Sequence, residues 1–125
     1  MTNFDAVTHA FTTLAIGGFS NYDNSFAYFS NNFIYLFASV FMFLSAISFS
    51  LHFVAFNKID ITGYFKDKEL RFYATIIFVS FILIFIVLQS TNANGNFDTL
   101  ILSVFQTISF ATTTGFVSTD QSSLP

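Results

Sequence analysis

The chain has 125 residues, of which 54% are hydrophobic, 21% aromatic and only 9% charged, with a formal net charge of −3; an ordinary soluble domain carries roughly 25% charged residues. Together with a mean hydropathy of +0.66, this composition belongs in a lipid bilayer. The absence of cysteine excludes disulfides and thiolate metal sites, and the few basic residues form no run that could follow a phosphate backbone, which excludes nucleic acid as a partner.

In chain order, the first predicted element is a short apolar helix from about Phe4 to Thr13, with Asp5 in its first turn. A small-residue stretch with Gly17, Gly18 and Phe19 follows, then a polar, Asn-rich segment from Asn21 to Asn32. Phe33 to Phe56 is apolar for about 24 residues, enough to cross a ~30 Å hydrocarbon core as one helix. The loop NKIDITGYFKDKELR then holds all the basic residues, Lys58, Lys66, Lys68 and Arg71. Phe72 to Leu88, about 17 residues, is a second apolar span. A polar stretch from Gln89 to Asp98 leads to a second short helix, from Asp98 as N-cap to Phe110, and then to ATTTGF. Short loops rich in Lys and Arg stay in the cytoplasm, so residues 58–71 lie inside and both flanking segments outside. Neither span resembles a signal peptide.

The chain repeats itself. Shifted by about 97 positions, Val7 falls on Val104, Thr12 on Ser109, Gly18 on Gly115, Phe19 on Phe116 and Asp23 on Asp120. Each unit reads as a short helix, a small-residue stretch, a Gly-Phe pair and a polar exit. Both helices are too short to span, so each should dip into the bilayer and return. Backbone at that depth is tolerated only where protein or a water-filled cavity surrounds it. One use of such backbone is to turn its carbonyls toward an axis and replace the hydration shell of a cation. The negative end of the preceding helix dipole favours the same charge. The competing reading is that the glycines only end helices, in a small membrane scaffold or assembly subunit without a pore. Substitution of Gly115 separates the two, since a scaffold would lose only a little stability.

The segments HAFTTLAIGGFSNYD, SLHF, YFKDKELRFY and FATTTGF resemble, in order and spacing, the TrkH-like pore subunits of the Trk/Ktr potassium uptake family. The resemblance covers nearly the whole chain. It implies an all-α integral membrane fold with re-entrant pore helices and filter loops, part of a pseudo-fourfold cation-channel-like architecture of four repeats in one polypeptide. This chain would be a central fragment: residues 1–57 the pore helix, filter and last transmembrane helix of the second repeat, 58–71 a cytoplasmic loop, and 72–125 the first helix, pore helix and filter of the third. The implied cation ligands are backbone carbonyls of Ala15, Ile16, Gly17 and Gly18 and of Thr112, Thr113, Thr114 and Gly115. Gly18 and Gly115 are the filter glycines, with Gly17 one position away as the alternative. Potassium is the implied transported ligand, and the chain holds no cofactor. The implied partners are the remaining pore repeats, the lipid bilayer of the cell's inner membrane and a cytoplasmic nucleotide-binding regulatory subunit docking on the basic loop. Two filters cannot close a fourfold ring, so a subunit that forms a homodimer around four filters is a second transport reading. A single filter glycine per repeat implies modest selectivity for potassium over sodium.

Other polar residues have plainer uses. Asp5 and His9 are at helical spacing but have no third ligand nearby, so packing and hydrogen bonding are expected rather than a metal site. His52, inside the first span, is expected to bond a neighbouring helix rather than relay protons. Ser45, Ala46, Ser48 and Ser50 form a small-residue patch that would let another helix approach. Asp23 and Asp120 either concentrate cations at the outer mouth or close turns. No Ser/His/Asp set, phosphate-cradling loop or intramembrane carboxylate pair supports an enzyme.

Overall fold

The computed structural model describes residues 1–58, 62–91 and 96–118; Asp120 and the middle of the stretch from Gln89 to Asp98 lie outside them. Among the described residues the chain is helical, without strands: α1 (Asn3–Leu14), α2 (Asn32–Ser45), α3 (Phe49–Lys58), α4 (Thr62–Lys66), α5 (Lys68–Thr91) and α6 (Asn96–Ala111), with a 3-10 turn at Ser25–Phe29 before α2.

Thr2 begins α1 with a reciprocal cap, its hydroxyl accepting from the Asp5 N–H while the Asp5 carboxylate accepts from the Thr2 N–H. At 12 residues, α1 is about 18 Å long and cannot span. The second short helix starts earlier than expected: α6 runs from Asn96, so Asp98 lies inside its first turn rather than capping it. There Asp98 accepts a 2.6 Å hydrogen bond from the Asn32 amide and joins the N-terminal ends of α6 and α2.

The expected single span from Phe33 to Phe56 is broken. α2 and α3 meet at an angle of 87°. The Ala46 N–H returns to the Met42 carbonyl and closes α2, and the Ile47 N–H tightens the turn onto Leu44. Serine competes with the helix ladder through local hydrogen bonding, and the run Ser45-Ala46-Ile47-Ser48 falls at the corner. His52 then reaches back, its Nε2 lying 3.0 Å from the Leu44 carbonyl and its Nδ1 2.7 Å from the Tyr64 hydroxyl of α4. The expectation of a structural hydrogen bond to a neighbouring helix holds, and His52 adds a second partner to the Leu44 carbonyl at the break. The small patch makes a corner; Ser48 and Ser50 are exposed.

The other span is longer than expected. Residues Lys68–Ser90 form one apolar helix of 23 residues, long and apolar enough to cross a membrane. Asp67 begins it by accepting the Leu70 N–H at 2.8 Å. Behind it lies α6, packed between α5 and α2, while α1 packs on α2. Burial therefore runs around α6 rather than along one stripe: Thr99, Ile101, Ser103, Phe105, Thr107 and Ser109 are all covered. The Ser103 and Thr107 hydroxyls bond carbonyls one turn back, at 2.7 and 2.6 Å, which satisfies them while their small size lets helices approach. The core joins Phe26, Tyr35, Ala38, Met42, Ile101, Phe105 and Phe116.

Phe105 is fully buried, with ring centroids 5.2 Å from Phe26 and 5.1 Å from Tyr35. Replacement by alanine should cost about 3–5 kcal/mol, seen as a lowered melting temperature of the full-length protein in detergent. An unchanged melting curve would contradict this core.

Candidate functional site

The two loops that follow α1 and α6 have the same backbone. Both helices end alike, with the Ala15 N–H on the Phe11 carbonyl and the Thr112 N–H on Ile108, each at 2.9 Å. The next amide bonds three residues back in each, Ile16 to Thr13 at 3.2 Å and Thr113 to Phe110 at 3.0 Å. Left-handed residues then alternate: Ile16 has φ 53° and Gly18 φ 67°, Thr113 has φ 61° and Gly115 φ 82°. Each pair is related by the shift of about 97 that aligns the two sequences. Gly18, not Gly17, is thus the counterpart of Gly115.

A helix-ending glycine needs one left-handed residue. Here each loop has two, and the first is β-branched, a conformation that costs of order 1–3 kcal/mol. Strain of that kind persists only where the surroundings over-determine it.

Those surroundings are visible in both loops. Thr112 and Thr114 are buried, their hydroxyls 2.7 Å apart, and the Thr112 hydroxyl donates to the Ile108 carbonyl at 2.8 Å. Ser109 donates to the Phe116 carbonyl at 2.8 Å. Two of the three threonines therefore face protein and hold the strand, while Thr113 and Gly115 are exposed. In the first loop Ala15 and Gly17 are exposed, and the Gly17 N–H is held by the Thr12 carbonyl at 2.8 Å. The loops touch directly: a Cβ on Gly18 would collide with the Thr114 carbonyl oxygen and lie 2.9 Å from its carbonyl carbon. All eight expected positions, from Ala15 to Gly18 and from Thr112 to Gly115, thus fall on two abutting strands at the C-terminal ends of two short helices. No basic residue occupies the last turn of either helix, so nothing there offsets the negative end of its dipole.

Behind the loops stand struts, of which the sequence reading expected the hydrogen bonding of His9 and missed its partner and the Gln106 strut. His9 is buried; its Nδ1 lies 2.8 Å from the Asp5 carbonyl and its Nε2 3.0 Å from the Ser20 hydroxyl. A carbonyl only accepts, so in the neutral ring Nδ1 carries the proton and Ser20 donates to Nε2. The residue matched to His9 is Gln106, and its side-chain oxygen accepts from the Ser118 N–H and hydroxyl at 3.4 and 3.0 Å. Different side chains thus tie each exit strand to its helix. The repeat register could have paired Gln106 with His9, but it says nothing of the serines they reach.

Asp5 is also buried, accepting from the Thr2 hydroxyl at 2.6 Å, the Tyr22 hydroxyl at 3.0 Å and the Asn21 amide at 3.3 Å. The Thr2 hydroxyl chiefly holds its carboxyl down to about 2, and the same carboxylate pushes Tyr22 up to about 12. Among the described residues no group of three metal-ligating side chains occurs. Asp23 is exposed.

The whole chain, residues 1–125, matches the family model TrkH, described as a cation transport protein. It is 42% identical over 125 residues to the Trk system potassium uptake protein TrkH of Halomonas elongata, covering 100% of this chain and 26% of that one. It is 34% identical over 117 residues to the protein of the same name from Escherichia coli, covering 93% and 24%. The crystal structure of the potassium transporter TrkH from Vibrio parahaemolyticus matches with a TM-score of 0.91 at 39% identity, over 100% of this chain and 27% of that one. The chain spans about a quarter of the length of the curated relatives it matches.

A carboxyl lowered on folding stabilises the fold above its ordinary value near 4 and loses that contribution as pH falls toward 2. The melting temperature should therefore drop across that window, and Asp5→Asn should flatten the drop. An acid limb of the same slope in the variant would show that Asp5 is not its source.

Proposed function

The chain belongs to the TrkH cation transport family, and on that premise we propose that its two abutting loops form half of a ring of backbone carbonyls through which potassium is taken up across the cytoplasmic membrane. The carrying observation is the pair of left-handed positions repeated in both loops, Ile16 with Gly18 and Thr113 with Gly115. Residues in an ordinary strand send successive carbonyls to opposite sides; alternating the handedness of the backbone brings them to one side, where they can replace water around a cation. The ligands are the carbonyls of residues 15–18 and 112–115, favoured by the negative ends of α1 and α6.

The organisation follows from the same proposal. Residues 1–57 complete one pore repeat, 58–71 cross the cytoplasmic side and 72–125 open the next, so that both loops face outward. Further repeats of a longer polypeptide supply the rest of the ring. The basic loop is the docking place for a cytoplasmic nucleotide-binding regulatory subunit, and a homodimer is the larger assembly. The chain is a conduit, with no bond made or broken.

Gly115→Ser in the full-length protein tests the ring. In cells lacking other potassium uptake, rubidium influx should fall, or its preference over sodium should drop by about tenfold, worth about 1.4 kcal/mol. Thr113→Gly should relax the strained position and keep or raise stability by about 1 kcal/mol while also lowering that preference. If both variants transport with unchanged preference, the glycines only end helices.

A further inference from the structure

Phe19 and Phe116 hold the same place in the two units, yet their surroundings are opposite. Phe116 is 0% exposed. Its ring centroid lies 4.3 Å from Phe26 and 6.2 Å from His9, on which it stacks. Its strand is fixed to the first unit's outer turn: the Ala27 N–H donates to the Val117 carbonyl at 3.1 Å, and the Val117 N–H to the Ser25 hydroxyl at 3.3 Å. The second unit's phenylalanine is thus seated in a socket built by the first unit, with His9 from the short helix and Phe26 from the outer turn. Phe19 is 77% exposed, and a Cβ on Gly17 would come to 3.4 Å from its ring.

We propose that Phe19 seats in an equivalent socket on a further filter unit of the same polypeptide, the unit that stands to the first as the first stands to the second. Such seating presupposes the carbonyl ring of the proposed function. A socket of this kind needs a ring on the turn before α2 and a second ring on the short helix, because the guest is a ring that prefers tilted or stacked partners. A second copy of this chain would offer its own second unit, where Gln106 stands in place of His9. Gln106 supplies no ring for Phe19 to stack on. The matching socket therefore belongs to another unit. The chain covers only about a quarter of its relatives' length, which leaves room for one.

The test is photocrosslinking of the full-length protein in native membranes, with p-benzoylphenylalanine at position 19 and, separately, the smaller 4-azidophenylalanine in case the larger ring prevents assembly. The expected result is an adduct within one polypeptide, mapped by mass spectrometry to a segment outside residues 1–125 that carries an aromatic residue, in excess of any adduct between copies. A band of two linked copies would overturn the proposal in favour of a second chain. Lipid adducts alone, or none with either probe, would overturn it by showing Phe19 facing the bilayer or water. Crosslinking needs no transport, so loss of the seated ring and loss of the carbonyl filter, tested with Gly115→Ser, are told apart.

Discussion

Backbone that runs without a ladder partner through apolar surroundings is the constraint on which the rest of this structure depends. Each unsatisfied amide or carbonyl there costs several kcal/mol. Two amides of each loop answer this by turning back onto the helix ends, Ile16 to Thr13 and Gly17 to Thr12 in one, Thr113 to Phe110 and Gly115 to Ser109 in the other. The same turn ties up amides and leaves carbonyls on the loops. A donor-poor, acceptor-rich strand suits a cation. The shortness of α1 and α6 belongs to this arrangement, since a helix that crossed the bilayer would have its negative end at the far surface.

Conformational cost and packing then balance. Two β-branched residues in left-handed backbone cost of order 1–3 kcal/mol each, and a fully buried phenylalanine returns about 1.5–3 kcal/mol. Phe26, Phe105 and Phe116 are all buried and touch one another through Phe26. The cluster lies directly behind the second loop, because Phe116 follows Gly115 in the chain. Packing that holds the loop is thereby local to the strain it offsets, and the outer turn Ser25–Phe29 serves as the brace between the units.

Much of this fold is readable from residues alone, and the division is physical. Short apolar helices, a Gly-Phe pair repeated at fixed spacing and a basic loop between apolar runs are local signals, and α1, α6 and the two matched glycines answer to them. The repeat register already sets Gly18 on Gly115, and the dihedral angles agree, since Gly18 and not its equally permissive neighbour Gly17 is left-handed. The corner at Ala46 is hidden because apolar composition continues through it, and the His52 bonds to Leu44 and Tyr64 that stabilise it cross between elements. The sockets and struts are hidden for the same reason. That His9 reaches Ser20, and Gln106 reaches Ser118, depends on how an exit strand folds back over its own helix, and no periodicity encodes that.

The two units share their backbone more closely than their side chains. Where the second loop is pinned by the Thr112 and Thr114 hydroxyls and by Ser109, the first has Ala15 and Gly17 in place of the two threonines, and Thr12, in place of Ser109, turns its hydroxyl to the His9 carbonyl. The first loop is held instead by its own helix end and by the contact of Gly18 with the Thr114 carbonyl. A ring of identical subunits could not distribute support in this way, because every strand would need the same means of holding itself. Repeats fused in one chain are free to diverge so long as neighbours compensate. In the proposed ring the second strand is therefore the template and the first leans on it, so that a disturbance at Thr114 reaches both loops while one at Ala15 reaches only its own.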